Sequence, residues 1–293
     1  MHLPTNPLVV STFLIAGLVA GPVHAVAKPA APTPPAAAPA PAPATGSGAL
    51  AVTNAELIAW LKNIDDLTGY ILSGFRWQGV LERKQGKGTT LTYELAVYRH
   101  DGEKPDEAPM TILTLRPKKE AGKGYIRVDK NLFLFDPQIG KWSRQTDRAA
   151  LFGTEARRFD FDRTRLSIDY DPEFVGTETL GQFEAYRVRL KLKPGKEGEF
   201  PVQDVWLDAQ SHLMLKVQYH SPTGKLMRTS YYPEWMRIPH PSDPKNVLLI
   251  PKEVRVFDEV DTRMSSTFVT TEVELDRIPD NVFTKAWLEQ QSR

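Results

Sequence analysis

Apolar positions first recur at helical spacing and then, for most of the chain, at every second residue. Thr53-Asn54-Ala55-Glu56 has the form of a capping box, with a side-chain oxygen for a helix-start amide and a carboxylate three residues on to reach back. It opens a stripe of Leu57, Trp60, Leu61 and Ile64, while Glu56, Lys62, Asn63 and Asp66 face away, which predicts an amphipathic helix ending near Gly69. The period then changes to two. Strands are predicted at 79–84, 89–99, 110–116, 124–129, 131–135 and 141–144, and later at 174–179, 184–193, 203–208, 214–220, 225–232, 248–260 and 265–275.

In Tyr186 to Lys193 the alternation is strict, giving one apolar and one cationic face, as in a sheet with one wet side. Strands flanking Ser221-Pro222-Thr223-Gly224 form a hairpin, with Pro and Gly at their favoured turn positions. Asn131 to Phe135 does not alternate, as expected of a strand covered on both faces. Asp147 to Arg165 lacks period two and contains two short helical patterns, so it is either a lid or plug or an ordinary surface connection. A last helix is expected from Pro279 through Phe283, Ala286, Trp287 and Leu288. The chain is therefore mainly β, antiparallel, with few helices to cover the sheet. Such a sheet either curves around an apolar cavity or closes as a fully packed sandwich or barrel.

Composition divides the chain. Residues 1 to 50 hold ten of the 24 prolines and one charge, Lys28; removing that lysine from 37 cationic residues leaves 36 against 36 acidic ones in the remainder. A neutral body has no electrostatic footprint for nucleic acid, and no nucleic-acid partner is expected. Leu8 to Ala20 is an uncharged apolar run of 13 residues, shorter than the roughly 20 of a spanning helix, and Val23-His24-Ala25 after it suits a signal peptidase. The expected organisation is a secretory signal peptide at 1–25, an Ala/Pro-rich tether at 26–50 and one exported domain at 51–293. With no cysteine there is no disulfide, no thiolate metal site and no thiol to acylate.

No reaction chemistry emerges. Gly86-Lys87-Gly88-Thr89 lacks the spacing of a phosphate loop, and neither Gly-x-Ser-x-Gly nor His-Glu-x-x-His occurs. His100, His212, His220 and His240 lie far apart beside turns. Ser242 and Lys245 match Ser-x-x-Lys, but Pro241 and Pro244 prevent the helix that pattern needs. Asp160, Asp162, Asp169 and Asp171 are interleaved with Arg157, Arg158, Arg163 and Arg165, which reads as local ion pairing rather than a cation site. No enzyme activity, cofactor or metal is expected.

Several segments, in order, resemble the bacterial outer-membrane lipoprotein-sorting proteins, the LolA/LolB-like superfamily. They are Asp204-Val205-Trp206-Leu207-Asp208, the hairpin through Thr223-Gly224-Lys225-Leu226, Ile250-Pro251-Lys252-Glu253-Val254, Lys130 to Trp142, and Ile278-Pro279-Asp280-Asn281-Val282-Phe283-Thr284. The middle segment of the family is matched only loosely, by Phe152-Gly153-Thr154 or Phe159 to Asp162, and the connection Pro233 to Val247 is longer and richer in proline. The resemblance implies a curved, unclosed antiparallel β-barrel partly covered by helices, whose apolar interior receives lipid or the acyl chains of lipoproteins. It further implies a monomeric periplasmic carrier that meets an inner-membrane lipoprotein exporter or lipid transporter and delivers toward the outer membrane. Lacking a cysteine, the chain matches the soluble rather than the lipid-anchored kind. The expected cavity residues are Leu113, Leu115, Ile126, Val128, Leu132, Leu134, Val188, Leu190, Val205, Leu207, Leu215 and Val217, all of which also suit an ordinary core. The competing reading is a non-enzymatic sensor or adaptor whose surface binds an envelope protein, motivated by the long 233–247 connection and by the Ala/Pro tether.

Overall fold

A computed structural model describes residues 52–69, 74–88, 90–100, 108–146, 149–241, 243–275 and 278–292. The expected signal peptide and tether lie outside the described residues. The first helix, α1 (Asn54–Thr68), opens on the capping box: Thr53 Oγ1 accepts from Glu56 N at 3.2 Å, and Glu56 Oε2 accepts from Thr53 N at 2.8 Å. Its Leu57, Leu61 and Ile64 are buried, as the stripe requires.

Thirteen strands then form one antiparallel sheet. They are β1 (Gly74–Gln85), β2 (Thr90–His100), β3 (Met110–Arg116), β4 (Gly124–Val128), β5 (Asn131–Asp136), β6 (Lys141–Gln145), β7 (Tyr170–Leu180), β8 (Phe183–Leu192), β9 (Val202–Asp208), β10 (Met214–His220), β11 (Leu226–His240), β12 (Asp243–Asp258) and β13 (Met264–Glu274). Each strand pairs with its neighbour in sequence, except that β1 pairs with β13 and β6 does not pair with β7. Those two strands are the opposite edges, so the sheet is unclosed, as the family resemblance implied.

This order settles the nature of the segment after β6. A chain leaving one edge and re-entering at the other has to cross the full width of the sheet. The crossing carries single 3₁₀ turns at Leu151–Gly153 and Arg158–Asp160 and the short helix α2 (Leu166–Asp169). Its Leu151, Phe152, Ala156 and Phe161 are buried, so it is a plug on the sheet face and not a surface connection.

Two separate apolar clusters form on that face. One joins Phe75, Trp77, Val97, Ile112, Tyr125 and Leu132 to Leu151, Phe161 and Ile250. The other joins α1 to Val188, Leu190, Val205, Leu207, Val217, Tyr219 and Tyr232. On the opposite face, α3 (Lys285–Gln290) seats Leu288 against Leu113 and Phe135. Strand β5 is thus covered on both sides, with Leu132 and Leu134 toward the first cluster and Phe135 toward α3.

The structure corrects two expectations. Pro233 to Val247 is not a loop: β11 and β12 run through it and reverse between His240 and Asp243. Register shifts beside Glu234 and between Pro239 and His240 interrupt the ladder where prolines, which lack an amide donor, would break it. The closing helix is two pieces, a 3₁₀ turn at Asp280–Phe283 and then α3, which Thr284 caps by accepting from Trp287 N.

Candidate functional site

Between the two clusters the concave face is not filled. A cavity of about 790 Å³ remains there, within the roughly 300–1,000 Å³ range of small-molecule sites. Its sheet side carries apolar side chains from the centre of the strand order, Phe75 and Trp77 of β1, Phe268 of β13, Leu249 and Val254 of β12, Tyr232 and Trp235 of β11, and Val217 and Tyr219 of β10, together with the polar Arg99, Arg127, Gln203 and Thr270. The plug from Arg158 onward, Tyr170 at the start of β7, the β8–β9 loop from Gly195 to Phe200, Thr68 of α1 and Lys130 of the β4–β5 turn also line it.

Three arginines project from strands toward the plug and tie it down. Arg99 donates to Phe161 O at 2.9 Å and to Thr68 O at 2.7 Å, joining plug and α1, while its guanidinium carbon lies 4.6 Å from the Phe75 ring centroid. Arg127 donates to Asp162 Oδ1 at 2.6 Å, and Arg158 pairs with the same carboxylate at 3.1 Å. Arg228 donates to Asp160 Oδ1 at 2.6 Å, between the rings of Phe159 and Tyr219. Burial opposes the charge on Arg228, and Asp160 outweighs it, so its pKa is raised. Burial also pushes the phenols of Tyr219 and Tyr232 up, and that of Tyr170 to about 12, so all three are neutral hydroxyls at physiological pH.

Three of the four acidic residues singled out in sequence are therefore paired, but not only locally: Asp169 takes Arg165 from its own segment, whereas Asp160 takes Arg228 from the sheet and Asp162 takes Arg127 from the sheet as well as Arg158. Among the described residues no group of three or more metal-ligating side chains occurs. His212 stacks on Trp60 at 4.0 Å and burial lowers its pKa; His100 stacks on Phe283.

Of the twelve expected cavity residues, Val217 lines the cavity and the other eleven do not. Val188, Leu190, Val205 and Leu207 lie in the second cluster, and Leu132 and Leu134 in or against the first. Leu113 and Leu115 pack under α3 on the opposite face. Tyr125 belongs to the first cluster and Arg127 lines the cavity, so by alternation Ile126 and Val128 point away from it, Val128 into solvent. A register irregularity between Met214 and Lys216 turns Met214, not Leu215, to the cavity. The arginines were missed, although Arg99 shares the phase of buried Leu95 and Val97 and Arg127 that of Tyr125. A cation in an apolar phase was the available signal.

A family model described as an uncharacterized protein matches residues 106–290, more than half of the chain. The chain belongs to that family. No curated protein matches it. Solved structures supply the fold. An outer membrane lipoprotein-sorting protein domain from Vibrio parahaemolyticus superposes with a TM-score of 0.65 at 14% identity, covering 78% of this chain and 97% of its own. A DUF1329 family protein from Desulfovibrio piger gives 0.67 at 16% identity, with 80% and 97% covered. A LolA superfamily protein from Nitrosomonas europaea gives 0.62 at 18% identity, with 78% and 97% covered. At these identities the likeness is one of fold, and the LolA-like architecture that the sequence resemblance implied is the one the chain adopts.

Proposed function

We propose that the protein is a periplasmic carrier that binds lipid, or the acyl chains of lipoproteins, in this cavity and carries them toward the outer membrane without catalysing a reaction. The observation behind this reading is the unfilled space between two separately packed halves of one concave apolar face. Each methylene moved from water into such a space contributes about 0.8 kcal/mol, so part of one chain gives useful affinity with no further chemistry. Support also comes from the fold shared with a lipoprotein-sorting domain and a LolA superfamily protein, and from the signal peptide read in residues 1–25. The carrier has no energy source of its own, so release requires a competing acceptor or movement of the plug. The adaptor reading loses one of its two motives, because the 233–247 connection is part of the sheet, and keeps only the Ala/Pro tether.

Native mass spectrometry of protein isolated from the periplasm tests the proposal. Bound lipid or acyl-chain mass is the expected result, together with saturable uptake of a fluorescent fatty acid. Protein that is lipid-free and also refuses the probe sinks it.

A further inference from the structure

Most of the cavity wall is shielded from water. Among the described residues that line it, Lys130 and residues 195–198 are exposed, and the others are buried or half-buried. Lys130 belongs to a tight turn between two paired strands, whereas residues 195–198 are the outer part of the β8–β9 loop and touch both cavity and solvent. That loop is fixed at its neck. Leu192 N donates to Pro201 O at 2.8 Å, Lys193 N donates to Asp169 O at 2.9 Å, and Lys193 Nζ donates to Ser167 O at 2.9 Å. Beyond the neck the chain turns at Gly195, whose φ of 78° suits glycine. Lys196 meets Asp169 at 3.6 Å in a pair whose lysine is 41% exposed, so solvent weakens it. On the return Phe200 turns inward. Its ring lies 5.0 Å from that of Tyr219 and 5.9 Å from that of Phe159, and its backbone carbonyl accepts from the Tyr170 hydroxyl at 3.2 Å.

The plug and this loop differ in what their displacement exposes. Moving the plug breaks its bonds to buried Arg99, Arg127 and Arg228 and uncovers Leu151 and Phe161. Moving the loop uncovers Phe200, the one buried residue of 194–200. Local openings that expose the least buried surface are the most populated ones. We propose that the β8–β9 loop is the door of the cavity, swinging about its fixed neck while the plug stays in place, with Phe200 closing the passage against Phe159 and Tyr219. The proposal rests on the reading of the cavity as a chain-binding site and adds the route of entry and exit. A competing acceptor then draws the chain out past the loop.

Stopped-flow mixing of the full chain with a fluorescent fatty acid reads entry and exit separately. Phe200→Ala should raise the association and dissociation rates together, by about fivefold or more, because a door lowers the barrier in both directions. Faster dissociation with unchanged association would make Phe200 an ordinary piece of wall and overturns the proposal. Clamps test the same point without removing the ring, since the chain has no cysteine of its own. Ile168→Cys with Lys196→Cys, both exposed and beside the Lys196–Asp169 contact, can be joined by a bis-maleimide. Closing this clamp should slow entry and exit about tenfold or more relative to the same variant before cross-linking. Glu155→Cys with Ser266→Cys instead ties the plug to β13, where Ser266 Oγ accepts from Glu155 N at 3.1 Å. Neither residue lines the cavity, and forming this disulfide should leave both rates as they are. A loop clamp without effect, or a plug clamp that blocks uptake, overturns the proposal. Circular dichroism and the comparison of each clamp open and closed tell a fold defect from a shut door. If the unaltered chain takes up no probe, the carrier reading fails and takes the door with it, whereas uptake that ignores the loop clamp removes only the door.

Discussion

Asp65 shows how much one buried side chain can organise. It sits on α1, yet its carboxylate accepts from the backbone amides of Leu166 and Ser167, each at 2.8 Å, and from Ser167 Oγ at 2.7 Å. It therefore caps α2 from another helix and holds the end of the plug. Asp65→Ala leaves the buried amide of Leu166 and the half-buried amide of Ser167 without acceptors and should cost about 2–3 kcal/mol, read as a lowered midpoint in urea unfolding. Asp204 works on the outer face of the sheet, where Arg189 donates to it twice and Arg187 once at 2.7–2.9 Å. Burial by itself raises its pKa, and the hydrogen bonds from Arg189 and Arg187 outweigh this and hold it below the ordinary 3.8. A carboxylate depressed in the folded state stabilises at every pH above 3.8 and loses that contribution as the pH falls through its folded value. The stability gap between wild type and Asp204→Asn should thus be constant near neutrality and close in acid below that value, and unfolding curves collected across the acid range check it.

At the scale of elements, the plug is the informative piece. Sequence spacing showed that residues 147–165 are not a strand, but their place depends on β6 and β7 being opposite edges, a property of the whole sheet. The ion pair between Asp160 and the buried Arg228 joins plug to strand. Asp160→Asn strands a buried cation and is expected to cost about 3–5 kcal/mol, with hydrogen exchange faster in the plug than in β1 and β2. Unchanged exchange there would mean that the plug is held without this pair, by the Arg99, Arg127 and Asp65 hydrogen bonds and the burial of Leu151 and Phe161. The extended β11–β12 hairpin teaches the complementary lesson. Its prolines argued for a loop, because the ladder shifts that accommodate them leave no mark in a one-dimensional pattern.

For the whole molecule, the question is whether the cavity is used. Val217→Trp places a bulky ring in it and should lower uptake of a fluorescent fatty acid about tenfold or more, a change of about 1.4 kcal/mol. Leu115→Trp, on the opposite face, should leave uptake as it is. Equal effects of the two would separate uptake from this cavity.

Local chemistry alone determined a good deal: the helix with its capping box, the period-two alternation of the strands, the neutral and cysteine-free body. The first two rest on neighbours within a few residues and the third on composition alone, so all are read directly from the chain. Tertiary structure decided which phase of each strand faces inward, where the plug lies and what the cavity contains. Alternation specifies two faces without naming the inner one, and an irregularity such as that at Met214 exchanges them. The cavity itself is a gap between side chains brought together from β1, β10, β11, β12, β13 and the plug, so no stretch of sequence contains it.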